Sequence, residues 1–364
     1  MIIGQLNQSN YIIGFGLAFA VTAAVTPWVR KYAISHGIMD KPSDPRKIHG
    51  APVAYLGGLA IFAGFVVAVL LSLPVNRQLS ALLLGCLILV VVGVIDDMRG
   101  MSPWTKLVFQ FFAAAVALAG GIGITSFTNP FGGVVMLTAG RFALSLGQVH
   151  FHITPIANAL SLLWMVGLAN TVNFLDGLDG LASGVSGIAA TIMFALAVGS
   201  RVHQPGVAML AIILAGAAFG FLPYNFYPAR IFMGDSGAYF LGLTLAMLAI
   251  YSGAKLATAA LVLGFPIVDM LWAVIRRLAT GHSPFKADRG HFHHLLLDAG
   301  MSQREAVLTL YAVAAAFGTI ALMIGSFAKL VALVGLVFLM ALAIAFLVLS
   351  EWYKQRRGAS KTRL

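Results

Sequence analysis

Apolar runs of about 20 residues recur along almost the whole chain, and short stretches between them collect the polar residues. Within each run the apolar residues cover every side of a helix instead of alternating. The pattern predicts α-helices that cross a bilayer, not β-barrel strands, which would alternate over about 10 positions. Spans are expected near 11–29, 54–74, 79–95, 106–123, 156–172, 182–199, 207–224, 237–252, 257–275, 306–326 and 329–350. The expected fold class is therefore all-α, a polytopic integral membrane protein of about 11 transmembrane helices. The longest stretch between spans, 124–155, leaves open a short hairpin or an interfacial helix. No tandem repeat and no dividing linker is visible, so residues 1–364 read as one transmembrane domain with a basic tail at 351–364.

Composition agrees: 60% of residues are hydrophobic, 10% are charged, and the mean hydropathy is +0.93. A water-soluble fold of this length could not hide so much apolar surface, whereas lipid is a solvent for it. Cys86 is the single cysteine and lies mid-span, so a disulfide framework is excluded. The first ten residues carry no Lys or Arg, which argues against a cleaved signal peptide. The net charge of +11 has a topological explanation that needs no nucleic acid. Of the 23 Lys and Arg, 18 fall in one set of loops; Arg77, Arg141, Arg201, Lys255 and Lys329 make up the other. The richer set is expected inside, which puts the N-terminus outside and the C-terminus inside. All twelve acids lie on the same inner side or in the inner half of a span. Topology does not demand this, so chemistry at the cytoplasmic face is expected to use carboxylates.

Five inner-face stretches carry that chemistry: "DKPSDPRKIHGAPVAYLGG", "IDDMRGMSPWTK", "NTVNFLDGLDGLASG", "NFYPARIFMGDSG" and "RRLATGHSPFKADRGHFHH". Asp96 and Asp97 end a span, where the helix dipole disfavours acids. They can be a solvated stop paired with Arg99, or they can bind a cation and supply a base. Asn170, Asn173, Asp176 and Asp179 recur at a spacing of three, which puts helical neighbours on one face. Turn chemistry explains the glycines between them but not the polar register. Asp235 sits in a glycine-flanked turn before a span, with no cation beside it in sequence. It can cap that helix or hold Mg²⁺ on phosphate oxygens. Phe232 can stack on a base or anchor in the membrane interface. For His291, His293 and His294, zinc is a poor match to the known spacings, and a basic cluster with Arg289 that grips phosphate fits better. Carboxylates, a basic cluster and glycine turns are the parts of phosphoryl transfer, and no Walker A motif is present.

In this order the five stretches resemble the polyprenyl-phosphate N-acetylhexosamine-1-phosphate transferase family, over roughly Asp40 to Ala306. The wording around "DKPSDPRKIHG" and "SPFKADRGHFHHLLLDAG" is most similar to its bacterial UDP-GlcNAc:undecaprenyl-phosphate GlcNAc-1-phosphate branch. The resemblance implies transfer of GlcNAc-1-phosphate to undecaprenyl phosphate with release of UMP, in a bacterial inner membrane, with Mg²⁺ as cofactor and Mn²⁺ as a substitute. Residue by residue, it implies catalytic roles for Asp96, Asp97 and Lys106, with Asp96 as base and Asp97 helping to place Lys106 and the metal. Asn173 and Asp235 match metal positions. Asp179, Asn225 and Phe232 match the uracil pocket, Lys47 and His49 lie where a basic residue contacts nucleotide, and His291, His293 and His294 match the histidine motif near the sugar phosphate; Asp176 and Arg289, next to these motifs, are further substrate-binding candidates. UDP-GalNAc, a UDP-deoxysugar or UDP-MurNAc-pentapeptide stays open as donor, and so does a homodimer. A cation-coupled transporter is the rival of another class, though its acids would be expected nearer the midplane.

Overall fold

The computed structural model describes residues 7–41, 51–137, 140, 142–146, 149–200, 202–253, 255–283 and 290–361. In chain order the elements are α1 (Gln8–Ser35), β1 (Met39–Asp40), β2 (Val53–Ala54), α2 (Gly57–Ser72), α3 (Arg77–Arg99) and α4 (Pro103–Ala119). Next come β3 (Ser126–Thr128), β4 (Val134–Met136), β5 (Phe142–Leu146), β6 (Val149–Ile153), α5 (Pro155–Leu175), α6 (Leu181–Val198) and α7 (Pro205–Asn225). The chain closes with α8 (Gly234–Tyr251), α9 (Leu256–Val262), α10 (Gly264–Ala279), α11 (Phe292–Asp298), α12 (Gln303–Met323) and α13 (Ser326–Lys361). Every predicted span falls on one of these helices or on the α9–α10 pair. Among the described residues, seven helices are long and apolar enough to cross a bilayer, eight if α9–α10 counts as one. This is a multi-pass membrane protein.

Helix α8 is the axis of the bundle. Ser236 through Ile250 are buried without exception, the signature of a helix that is apolar all round. It packs against α3 and α5, then α2, α6, α7 and α9. Small residues permit the closest of these approaches. A Cβ on Gly93 of α3 would lie 2.3 Å from Ser236 Cα, so only glycine lets the two backbones meet there. The exposed apolar side chains sit on peripheral helices, such as Trp28 on α1 and Phe338 on α13, where lipid is their solvent.

The structure departs from the expected fold in three places. The architecture is helical as expected, with β1–β2, β3–β4 and β5–β6 added as short antiparallel pairs. Two of them lie in the 124–155 stretch, where the described residues take the hairpin alternative. The span expected at 257–275 is two helices bent by 79°. The break lies at Leu263, and Pro266 in the first turn of α10 has no N–H to offer the Val262 carbonyl, so the helical hydrogen-bond ladder is interrupted there. Finally, the expected basic tail continues α13 as helix up to Lys361.

Candidate active site

Four helix ends meet at one face: the C-terminus of α3, the first turns of α4 and α8, and the last turn of α5. The α3–α4 turn is set by local chemistry. Gly100 takes a positive φ of 70° after α3, and Ser102 then caps α4 with Pro103 behind it. Lys106 therefore comes back beside Asp96, one turn into α4.

The paired aspartates diverge. Asp96 Oδ1 accepts from Met101 N–H at 2.6 Å, and Oδ2 accepts from Lys106 Nζ at 3.1 Å. Asp97 turns the other way, accepting from the N–H of Asp235 at 2.9 Å and from Ser236 Oγ at 3.0 Å. It thus caps α8 from outside, and the positive end of the α8 dipole offsets the unfavourable negative end of α3. Gly234, at φ +69°, leaves the room: a Cβ there would lie 2.3 Å from Asp97 Oδ2. Two expectations are corrected. Asp235 does have a cation beside it, since Lys106 Nζ lies 2.9 Å from Oδ2, on a helix 129 residues away in sequence. Lys106 is positioned by Asp96 and Asp235, not by Asp97.

Asn173 Nδ2 donates to Asp235 Oδ1 at 2.8 Å, so α5 contributes to the same cluster. The regular three-residue register does not extend beyond it. Asn170 pairs with Gln110 of α4. Helix α5 stops at Leu175 with Asp176 as its C-cap, and Asp179 lies in the following turn, where it accepts from Ala229 N–H at 2.8 Å. Burial, reinforced by the charges of Asp235, Asp97 and Asp179, pushes the Asp176 carboxyl well above the usual carboxylate range.

The segment from Phe226 to Met233 is tied down on several sides. Asn225, buried, donates to Ile231 C=O and accepts from Ser183 Oγ. Arg30 and Arg304 reach the carbonyls of Arg230 and Tyr227. Strand β2 holds its far end: Phe232 N–H donates to Ala54 C=O, and Gly57 N–H donates to Phe232 C=O. Phe232 stands near Tyr55, with ring centroids 6.0 Å apart.

The histidines form a second group. His291 Nδ1 lies 3.0 Å from Asp269 Oδ2, and Phe292 N–H donates to Asp269 Oδ1 at 2.7 Å. Arg277 Nη2 lies 3.2 Å from His291 Nε2 and sits over the Phe174 ring at the end of α5. Both Asp269 and Arg277 come from α10, so the helix after the break carries the support for His291. His293 packs on the turn after α5, where a Cβ on Gly177 would lie 2.4 Å from its Nε2. Burial, with His294 and His291 alongside, holds the His293 imidazole well below its ordinary pKa, so it is neutral near pH 7. Lys47, His49 and Arg289 lie outside the described residues. Asp269, Arg277, Phe174 and Ser236 are the site neighbours that motif reading passes over; only the depth of Asp269 in its span hints at a role.

Among the described residues, Asp96, Asp97 and Asp235 are the group able to bring three ligand atoms within 4.8 Å of one another. The donors are hard carboxylate oxygens with an Asn amide alongside, which suits Mg²⁺ and not the soft ligation that zinc favours.

The chain matches the sequence profile of glycosyl transferase family 4 over residues 79–253, which contains Asp96, Asp97, Lys106, Asn173 and Asp235. A "Probable undecaprenyl-phosphate N-acetylglucosaminyl 1-phosphate transferase" of Bacillus subtilis is 32% identical over 323 residues, covering 86% of this chain and 85% of the relative. The chain belongs to this transferase family. A decaprenyl-phosphate N-acetylglucosaminephosphotransferase of Mycolicibacterium smegmatis is 32% identical over 81% of the chain and 77% of its own length. An undecaprenyl-phosphate alpha-N-acetylglucosaminyl 1-phosphate transferase of Yersinia pestis is 29% identical over 84% and 80%. These alignments cover more of the chain than the profile does.

Proposed function

We propose that this enzyme transfers GlcNAc-1-phosphate from UDP-GlcNAc to undecaprenyl phosphate at the cytoplasmic face of a bacterial inner membrane. The observation that carries the reading is Lys106 lying between Asp96 and Asp235 where four helix ends converge. The names of the relatives supply the sugar and the lipid. In the reaction, a lipid-phosphate oxygen attacks the phosphorus that bears the sugar. The bond from that phosphorus to the bridging oxygen of UMP breaks, and UMP leaves with the electron pair.

The residues divide the work. Asp96 orients the attacking phosphate and takes its proton if it arrives protonated. Lys106 neutralises charge on the diphosphate, as phosphoryl transfer mainly requires. Asp97 holds the first turn of α8, and through it the position of Asp235. The His291 group, held by Asp269 and Arg277, faces the turn that bears Asp176 and Asp179, where the sugar nucleotide is placed. Mg²⁺, when bound by Asp235 with Asp96, Asp97 and Asn173 around it, supplies further positive charge at the diphosphate oxygens. The lipid tail has an apolar approach. Trp104, Val108 and Phe112 of α4 and Leu271, Ile275 and Leu278 of α10 are exposed, and both helices pack on α5. Asp269 aside, which lies within α10 and holds His291, the carboxylates of the site stand at helix ends and turns, which weighs against the transporter reading.

The test offers purified protein several UDP-sugars with undecaprenyl phosphate and measures UMP. UDP-GlcNAc is expected to be turned over fastest; a preference for another donor would reassign the sugar, and no UMP from any would remove the enzyme reading. The reading also takes the eleven apolar segments as spans, with the N-terminus outside and the C-terminus inside. Reporter fusions after Arg77, Arg201 and Lys329 are expected to report outside, and fusions after Arg99, Arg230 and Arg289 inside. Opposite sides for the Arg99 and Arg289 fusions would break the single-site arrangement.

A further inference from the structure

Helices α6 and α12 end, and α9 and α13 begin, at the face opposite the one that carries Asp96 and Asp235. Between them lies a cavity of about 370 Å³, within the usual ~300–1,000 Å³ of ligand pockets. We propose that this cavity binds one anionic phospholipid, with its phosphodiester held by Lys255 and Lys329 and its acyl chains running along α13.

Three observations point there. Lys255 and Lys329 belong to the sparse basic set of this face, yet both line the same cavity. Among the described residues, the lining contains no carboxylate. The described acids of the site, from Asp96 to Asp235, sit at the far ends of the same bundle. Two ammonium groups that line one part-buried space make it electropositive, which favours an anion. Lys329 is directed inward, since its Nζ donates to the buried hydroxyl of Thr258 at 2.8 Å.

The rest of the wall selects the anion. Leu256, Leu330 and Leu333 are among the lining residues, and Val334 and Phe338 continue an exposed apolar strip down α13. A free phosphate would satisfy the lysines and leave this strip uncovered. A zwitterionic lipid would bring its own ammonium against theirs. An anionic diacyl phospholipid meets both demands. Its headgroup would also bridge α9 and α13, next to the break that leads into α10.

The experiment is native mass spectrometry of the full chain in detergent, with phosphatidylglycerol and phosphatidylcholine of equal acyl chains in competition. One phosphatidylglycerol is expected to be retained with a preference on the order of 10-fold or more, from two lysines beside one surface phosphate. Lys255→Gln with Lys329→Gln should abolish the preference, and Lys255→Arg with Lys329→Arg should keep it, with melting temperature and gel filtration as checks of folding. Equal retention of the two lipids by the wild type would overturn the proposal, even if the glutamine variant failed to fold. So would an undiminished preference in a folded glutamine variant. Displacement of the lipid by millimolar inorganic phosphate would show a plain anion site and overturn the lipid assignment. Displacement by excess undecaprenyl phosphate would show that the bound lipid occupies the catalytic groove, and would overturn the separate site.

Discussion

Asp235→Asn is expected to abolish turnover, by at least about 10²-fold, while the protein extracts, migrates and melts like the wild type. The Asp235 carboxylate meets Lys106 on one oxygen and Asn173 on the other. An Asn side chain has nearly the same shape but removes a full charge and offers one acceptor where two donors converge, so Lys106 and any divalent ion lose a carboxylate partner. Folding should survive because α8 is held by buried packing from Ser236 onward and by Asp97 acting on the Asp235 backbone, neither of which needs the Asp235 charge. Activity would be followed as UMP release, with divalent ions added and with a chelator. A variant near the wild-type rate would remove Asp235 from the chemistry. Full activity in the chelator would remove the metal while leaving Lys106 as the cation of the site.

The positions of the helices are legible in the sequence because lipid imposes a single rule, roughly 20 apolar residues per span. The same rule is blind to what happens inside a run. It cannot show that α8 is the buried axis and α13 is peripheral, since both are apolar on all sides. The 79° break escapes it as well, and only Pro266 marks the place. At the site, the motifs locate the carboxylates because acids are rare in a chain so apolar. Their partners are not legible, because partnership here is set between distant helices. Lys106 meets Asp235 across 129 residues, and Arg277 reads as one more inner-face cation until the fold sets it against His291. The divergence of Asp96 and Asp97 is the sharpest case. Neighbours in sequence, they point about a quarter-turn apart on α3, and only the presence of α8 on one side and Lys106 on the other gives them different work.

That divergence makes the second large effect selective. Asp96→Asn is expected to lower kcat by roughly 10²–10⁴-fold, with little change in KM for the UDP-sugar, because the lost group acts on the attacking phosphate. Asp97→Asn is expected to act through the structure as well as through the metal group. It removes a charge from the start of α8, worth about 0.3–1 kcal/mol at an exposed helix end and up to ~2 kcal/mol in partly buried geometry, so the melting temperature should fall along with activity. If both substitutions lowered kcat equally without touching stability, the two acids would share one role and the capping assignment would fail. A covalent role for Asp96 has its own signature: labelled UMP would enter UDP-GlcNAc without lipid acceptor. The geometry favours direct attack. Both Asp96 oxygens accept hydrogen bonds, one from the Met101 amide and one from Lys106, which lowers their nucleophilicity toward phosphorus. The incoming lipid phosphate is itself an anion and needs no relay. Exchange should therefore remain silent until undecaprenyl phosphate is added, and rapid exchange in its absence would make Asp96 the nucleophile.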